Sequence, residues 1–106
     1  MPVPSPVDIL AIGAHPDDVE LGCGGTLAKH VAAGDRVAIL DLTRGEMGTR
    51  GTAELRAAEA QEAARVLGVP QRLNAGMRDG FLENSEVNQR LLIAYLRAFR
   101  PRIVLA

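Results

Sequence analysis

His15, Asp17 and Asp18 stand together in the run Ala14-His-Pro-Asp-Asp-Val-Glu-Leu-Gly-Cys-Gly-Gly25. An imidazole beside two carboxylates is a donor set that binds and uses a divalent metal. His15 and Asp18 are three apart across a turn that Pro16 stiffens, so both can converge on one ion while Asp17 is directed elsewhere. A free carboxylate beside a metal-activated water is a candidate general base. Glu20 is read as an acceptor that steadies His15 or the nearby backbone. Cys23 is read as a small buried side chain rather than a ligand, and His30 as a surface histidine.

Further polar residues lie where they can join this chemistry. Arg56 shares a helical meridian with Ala60, Ala63, Ala64 and Leu67, so a guanidinium rides on the face that must pack on the sheet. A planar fork of donors there would bind substrate oxygens or a carboxylate. Glu46, Arg50 and Asp79 occupy glycine-rich loops on the same side and are candidates for substrate contact. Asp41 is a polar residue in an apolar strand, with no role assigned. Gly22, Gly24 and Gly25 are expected to let backbone pass closely behind the metal site.

The elements that must position these groups alternate. Asp8-Ile-Leu-Ala-Ile-Gly-Ala14 and Arg36-Val-Ala-Ile-Leu-Asp-Leu-Thr43 are near-continuous apolar runs of the kind found in parallel strands covered on both faces. A helix is predicted over 22–33, stopping at Gly34, and a second over 53–67, stopping at Gly68 before Pro70. Gln71-Arg-Leu-Asn74 reads as a short third strand. Val87, Leu91, Leu92, Tyr95, Leu96 and Phe99 form the stripe of a third helix, and Arg100-Pro101 ends it before a fourth strand at Ile103-Val-Leu-Ala106. Strand and helix in strict alternation predict an α/β fold: a Rossmann-like, three-layer αβα arrangement with a mostly parallel sheet and right-handed crossovers. In such sheets ligands bind beyond the carboxyl ends of the strands, where His15 to Asp18, the 44–50 loop and the 74–79 segment all fall.

Composition narrows the function classes. Twelve basic against thirteen acidic residues leave no electrostatic footprint for nucleic acid or an anionic membrane surface. A single cysteine excludes a disulfide framework within the chain and fits a reducing cytoplasm, so a soluble intracellular protein is expected. The main competing reading is a non-catalytic nucleotide-binding half-domain. Its fingerprint needs G-x-G-x-x-G directly after the strand, whereas Gly13 is followed by Ala-His-Pro-Asp, and two carboxylates would repel phosphates. Met47 and Leu82 are candidates for a pocket lining or for a contact between copies of the chain in a homo-oligomer.

The first motif, together with Leu42-Thr-Arg-Gly-Glu-Met-Gly-Thr-Arg-Gly51 and Glu54-Leu-Arg56, resembles the LmbE/PIG-L zinc-dependent de-N-acetylases, and within them the bacillithiol biosynthesis deacetylases. The resemblance implies Zn2+ as cofactor, His15 and Asp18 as ligands, and Asp17 as the general base taking a proton from water. It implies a substrate-binding or site-organising role for Arg56, and a sugar-hydroxyl contact for Asp79. The implied reaction is removal of acetate from an N-acetylglucosamine conjugate such as N-acetylglucosaminyl malate, with another N-acyl amino sugar or a lipid-linked sugar as the alternative. The family's remaining ligand is a histidine in a His-Pro-Asp-His-like motif after the fourth strand, absent from these 106 residues. The expectation is that residues 1–106 form the N-terminal part of one LmbE-like domain, with little or no activity in isolation.

Overall fold

The computed structural model describes residues 4–48 and 51–106; Arg50 lies outside them. The order is β1 (Ile9–Gly13), α1 (Asp18–Ala32), β2 (Val37–Thr43), α2 (Ala53–Leu67), β3 (Gln71–Met77), α3 (Glu86–Phe99) and β4 (Ile103–Leu105). The four strands form one sheet in the order β3-β2-β1-β4, all parallel. This is the expected three-layer α/β arrangement.

Period-two alternation sorts the strand residues onto two cores. Ile9, Ala11, Val37 and Ile39 pack with Val19 and Leu27 of α1 and Ala64 of α2. Leu10, Ala38 and Leu40 face the other way, against Phe99 of α3 and the partly buried Leu92, Tyr95 and Leu96. So α1 and α2 cover one face and α3 the other. The chain runs β1, β2, β3 outward, then crosses back through α3 to lay β4 beside β1. The reversal therefore falls between β1 and β4, where open α/β sheets leave a crevice for ligands.

Several boundaries differ from the sequence reading. α1 begins at Asp18 rather than residue 22, because Asp17 turns the chain with φ 91° and its carbonyl accepts from the Leu21 amide at 3.0 Å. The glycine-rich stretch thus lies inside the helix, and Cys23 breaks the helical run with φ −148° and ψ 18°. β3 spans seven residues rather than four, since pairing with β2 continues past an irregularity to Thr43↔Met77. Val87, expected on the buried stripe of α3, is 75% exposed, because the helix packs on the core only from Leu92 onward. The ends of α2 follow their cap residues: the Thr52 hydroxyl accepts from Leu55 at the start, and Gly68 adopts the left-handed conformation at the end.

The close approaches occur at other glycines than those expected. A Cβ at Gly22 or Gly25 would meet nothing within 4 Å, and one at Gly24 only the Glu20 Cβ at 3.8 Å. At Gly13 it would lie 3.1 Å from both the Asp18 Cβ and the Val19 Cγ2. Gly13 is what lets the first turn of α1 sit on the end of β1. No helix among the described residues is long and apolar enough to cross a membrane.

Candidate metal centre

The turn after β1 is built by local bonds. The Asp18 amide donates to the His15 carbonyl at 3.2 Å, and the His15 amide donates to Asp18 Oδ2 at 2.9 Å. From β2, the Thr43 amide and hydroxyl both donate to the Ala14 carbonyl, at 3.0 and 2.9 Å. The turn is thereby fixed to the strand ends before any side-chain chemistry is considered.

This backbone brings His15 Nδ1 to 3.3 Å from Asp18 Oδ2. Two ligands bound to one tetrahedral zinc at about 2.0–2.1 Å stand roughly 3.3 Å apart, so the pair matches one edge of such a site. The other ring nitrogen, Nε2, lies 2.7 Å from Asp79 Oδ1. With Nε2–H donated to that carboxylate, the Nδ1 lone pair faces Asp18, the histidine–carboxylate arrangement that orients metal ligands. Among the described residues no group of three His, Cys, Asp or Glu side chains gathers as a metal site. The donor chemistry and spacing of His15 and Asp18 fit two corners of one.

Asp79, for which the resemblance implied a sugar contact, is held by protein groups here. Its side chain is 7% exposed and both oxygens are engaged, Oδ1 by His15 and Oδ2 by the Met47 amide at 2.8 Å. Its own amide donates to Glu46 Oε2 at 2.9 Å. A carboxylate so committed supports the ring of His15. Glu46 likewise acts as a clasp between the loop after β2 and the end of β3. Met47 and Leu82 are 61% and 42% exposed.

The charges follow from these contacts. Partial burial disfavours the imidazolium, yet the bonds to Asp79 and Asp18 outweigh it and raise the pKa of His15. Asp79 is held below the ordinary carboxylate range, first by the Met47 amide, with burial opposing and His15 adding to the lowering. Burial pushes the Cys23 thiol up, consistent with a side chain packed beside the core rather than a ligand.

Asp17 is exposed and its side chain caps no amide of α1. It lines a shallow cleft with Pro16, Glu20, Arg56 and Glu59. The Arg56 guanidinium does face the strand ends, but its partners are backbone: Nη1 donates to the Gly45 carbonyl at 2.8 Å and Nη2 to the Pro16 carbonyl at 3.3 Å. Gly45, with φ 65°, has no side chain to collide with that guanidinium. Arg56 therefore ties the loop after β2 to the turn after β1.

One contact was read wrongly from sequence and one residue was missed. Glu20 reaches Arg72 instead of His15, with Oε1 2.9 Å from Nη2. Arg72, on β3 and only 1% exposed, also holds Asp41 through Nε to Oδ2 at 2.7 Å and Nη2 to Oδ1 at 3.0 Å. Burial pushes the Asp41 carboxyl up, against the pull of Arg72. A carboxylate inside an apolar strand, with an arginine in the strand predicted after it, was the available signal. His30 pairs with Asp35 at 2.8 Å, on the surface as expected.

Comparison with known proteins agrees with the fold. The chain is 44% identical over 71 residues to an uncharacterized deacetylase, YaiS, of Escherichia coli, covering 67% of this chain and 38% of that protein. It superimposes on the conserved protein TT1542 of Thermus thermophilus with a TM-score of 0.85 and 54% identity, covering 92% of this chain and 44% of the other. On the N,N'-diacetylchitobiose deacetylase of Pyrococcus horikoshii the TM-score is 0.80 with 35% identity, over 85% and 36% of the two chains. The chain thus spans about two fifths of the length of the relatives it matches. Residues 10–106 match the sequence pattern of the GlcNAc-PI de-N-acetylases, and the chain belongs to that family, PIG-L.

Proposed function

We propose that these residues carry one side of the active site of a zinc-dependent hydrolase that removes the acetyl group from an N-acetylglucosamine conjugate, with N-acetylglucosaminyl malate as the favoured substrate. The observation that carries the reading is the 3.3 Å separation of His15 Nδ1 and Asp18 Oδ2, with Asp79 on the far nitrogen of the ring. Names borne by relatives, a diacetylchitobiose deacetylase and several deacetylases of an inositol-linked acetamido-glucose, support an acetamido sugar as the substrate class.

His15 and Asp18 would hold the metal, with a third donor, a histidine by family resemblance, from outside the 106 residues. Zinc bound there supplies a Lewis acid for the acetamide carbonyl and lowers the pKa of a water to about 7. Asp17, adjacent in the chain and making no side-chain cap bond to α1, would be the carboxylate that takes up a proton from the attacking water. Asp79 fixes the His15 ring, and Arg56 holds the turn through the Pro16 carbonyl. On this reading the isolated segment 1–106 binds zinc weakly and turns over little substrate.

The test is acetate release by the full chain from a panel of N-acetylglucosamine conjugates, with zinc and after chelation. Metal-dependent release that Asp17→Asn lowers by about 10²–10⁴-fold is expected. Absence of release from every conjugate, or an Asp17→Asn chain as active as the parent, overturns the proposal.

A further inference from the structure

A helix normally carries the position of a first-turn residue along its own hydrogen-bond ladder. In α1 the backbone kinks at Cys23, five residues after Asp18, and the neighbouring Gly22 and Gly25 pack against nothing at their Cβ positions. The bonds to the Ala14 and Pro16 carbonyls hold the turn that bears Asp17 and Asp18 on its His15 side, and Val19 seats it on the core. Glu20 gives it a further tether on the other side.

Glu20 is joined to the sheet by a single guanidinium. Arg72 gives Nη2 to Glu20 at 2.9 Å, Nε and Nη2 to the two oxygens of Asp41 at 2.7 and 3.0 Å, and Nη1 to the Ala60 carbonyl at 3.2 Å. One planar group thus connects β3, β2, α2 and the first turn of α1. Asp41 is in register with Gly13, two residues before His15, so the anchor point lies level with the strand end from which the site departs.

We infer that Arg72 is a positioning residue for the proposed reaction, holding the Asp17–Asp18 turn against the strand ends through Glu20; the inference rests on the function proposed above. A buried ion pair is a weak source of stability, since apolar side chains of similar volume would hold these layers at least as well. What a rigid fork of donors adds is register, because it accepts partners only along fixed directions. Glu20 is the arm that reaches the turn, and it is separable from the rest: without it Arg72 keeps its two-point contact with Asp41.

Glu20→Ala and Glu20→Gln in the full chain test this, with His15→Ala as the reference. The readouts are zinc affinity by competition with a chromophoric chelator, kcat and KM for acetamide hydrolysis, and amide exchange at Leu21 in metal-free protein. Glu20→Ala is expected to weaken zinc binding by about 10–100-fold, lower kcat with KM nearly constant, and speed exchange at Leu21. Glu20→Gln keeps an acceptor for Arg72 and should recover most of both losses. Parental zinc affinity and kcat in Glu20→Ala overturn the inference, whatever its Tm, and so does a Gln variant no better than Ala. If His15→Ala also leaves zinc binding and turnover intact, the proposed function itself fails and the inference falls with it; if His15→Ala abolishes both, only the positioning role is lost.

Discussion

Asp79 stands behind His15, its Oδ1 2.7 Å from the Nε2 of a ring whose other nitrogen faces Asp18. Its second oxygen holds the Met47 amide, so one buried carboxylate sets both a ring and a loop. Asp79→Asn keeps the shape of the side chain but replaces an ionic acceptor by an amide. Zinc affinity of the full chain is expected to fall by about 10–100-fold, read by competition titration, with the circular dichroism spectrum unchanged.

Arg56 bridges two loop carbonyls that no other side chain joins among the described residues. Arg56→Met should keep the packing of the aliphatic stem and lose both bonds. Hydrogen bonds from charged donors contribute about 1.5–3 kcal/mol each, and partial exposure reduces that, so a loss of about 1–3 kcal/mol is expected in urea unfolding. Arg56→Lys can reach one carbonyl at a time and should fall between the two. Equal stability of all three chains would contradict the bridge.

The Asp41–Arg72 pair predicts a strongly non-additive cycle. Arg72→Met alone leaves Asp41 buried without its partner, at a cost of about 3–5 kcal/mol. Adding Asp41→Leu removes the stranded charge and should restore most of the loss. Denaturant midpoints of the four chains measure the coupling, and additive losses would refute it.

Acid should act at Asp8 only below the ordinary carboxylate range. Its Oδ2 accepts the Arg36 amide at 2.7 Å, and this bond, with the Arg36 side chain, holds its carboxyl below the ordinary 3.8. A depressed folded-state pKa means a contribution present above the unfolded value and lost as pH falls from about 3.8 through the lower folded one. Asp8→Asn should therefore flatten the acid limb of Tm against pH in that window and leave the neutral plateau otherwise shifted as a whole.

Much of this layout is legible in the chain because apolar runs and cap residues are local. Ile9–Gly13 is apolar throughout and Val37–Thr43 nearly so, since both faces are covered, and Gly68 marks its helix end by conformation alone. The bend at Cys23 is not legible, because nothing in a glycine-rich run says which residue departs from helical angles. The same holds for Glu20: its partner is 52 positions away, and only the sheet order decides that Arg72 comes within reach. His15 and Asp18 were readable as neighbours; the carboxylate on the far side of the ring, 64 positions on, was readable only as a polar loop residue.

One consequence lies in the backbone of Asp17. Its φ of 91° is a conformation in which glycine rests at ease and a side chain does not. Asp17→Gly should relax the turn and raise the melting temperature, by an amount on the order of 1 kcal/mol of stability. The same exchange would discard the carboxylate on which the proposed chemistry depends. A selection for heat resistance and a selection for turnover would thus pull this one position in opposite directions, and the chain as it stands has kept the reactive choice.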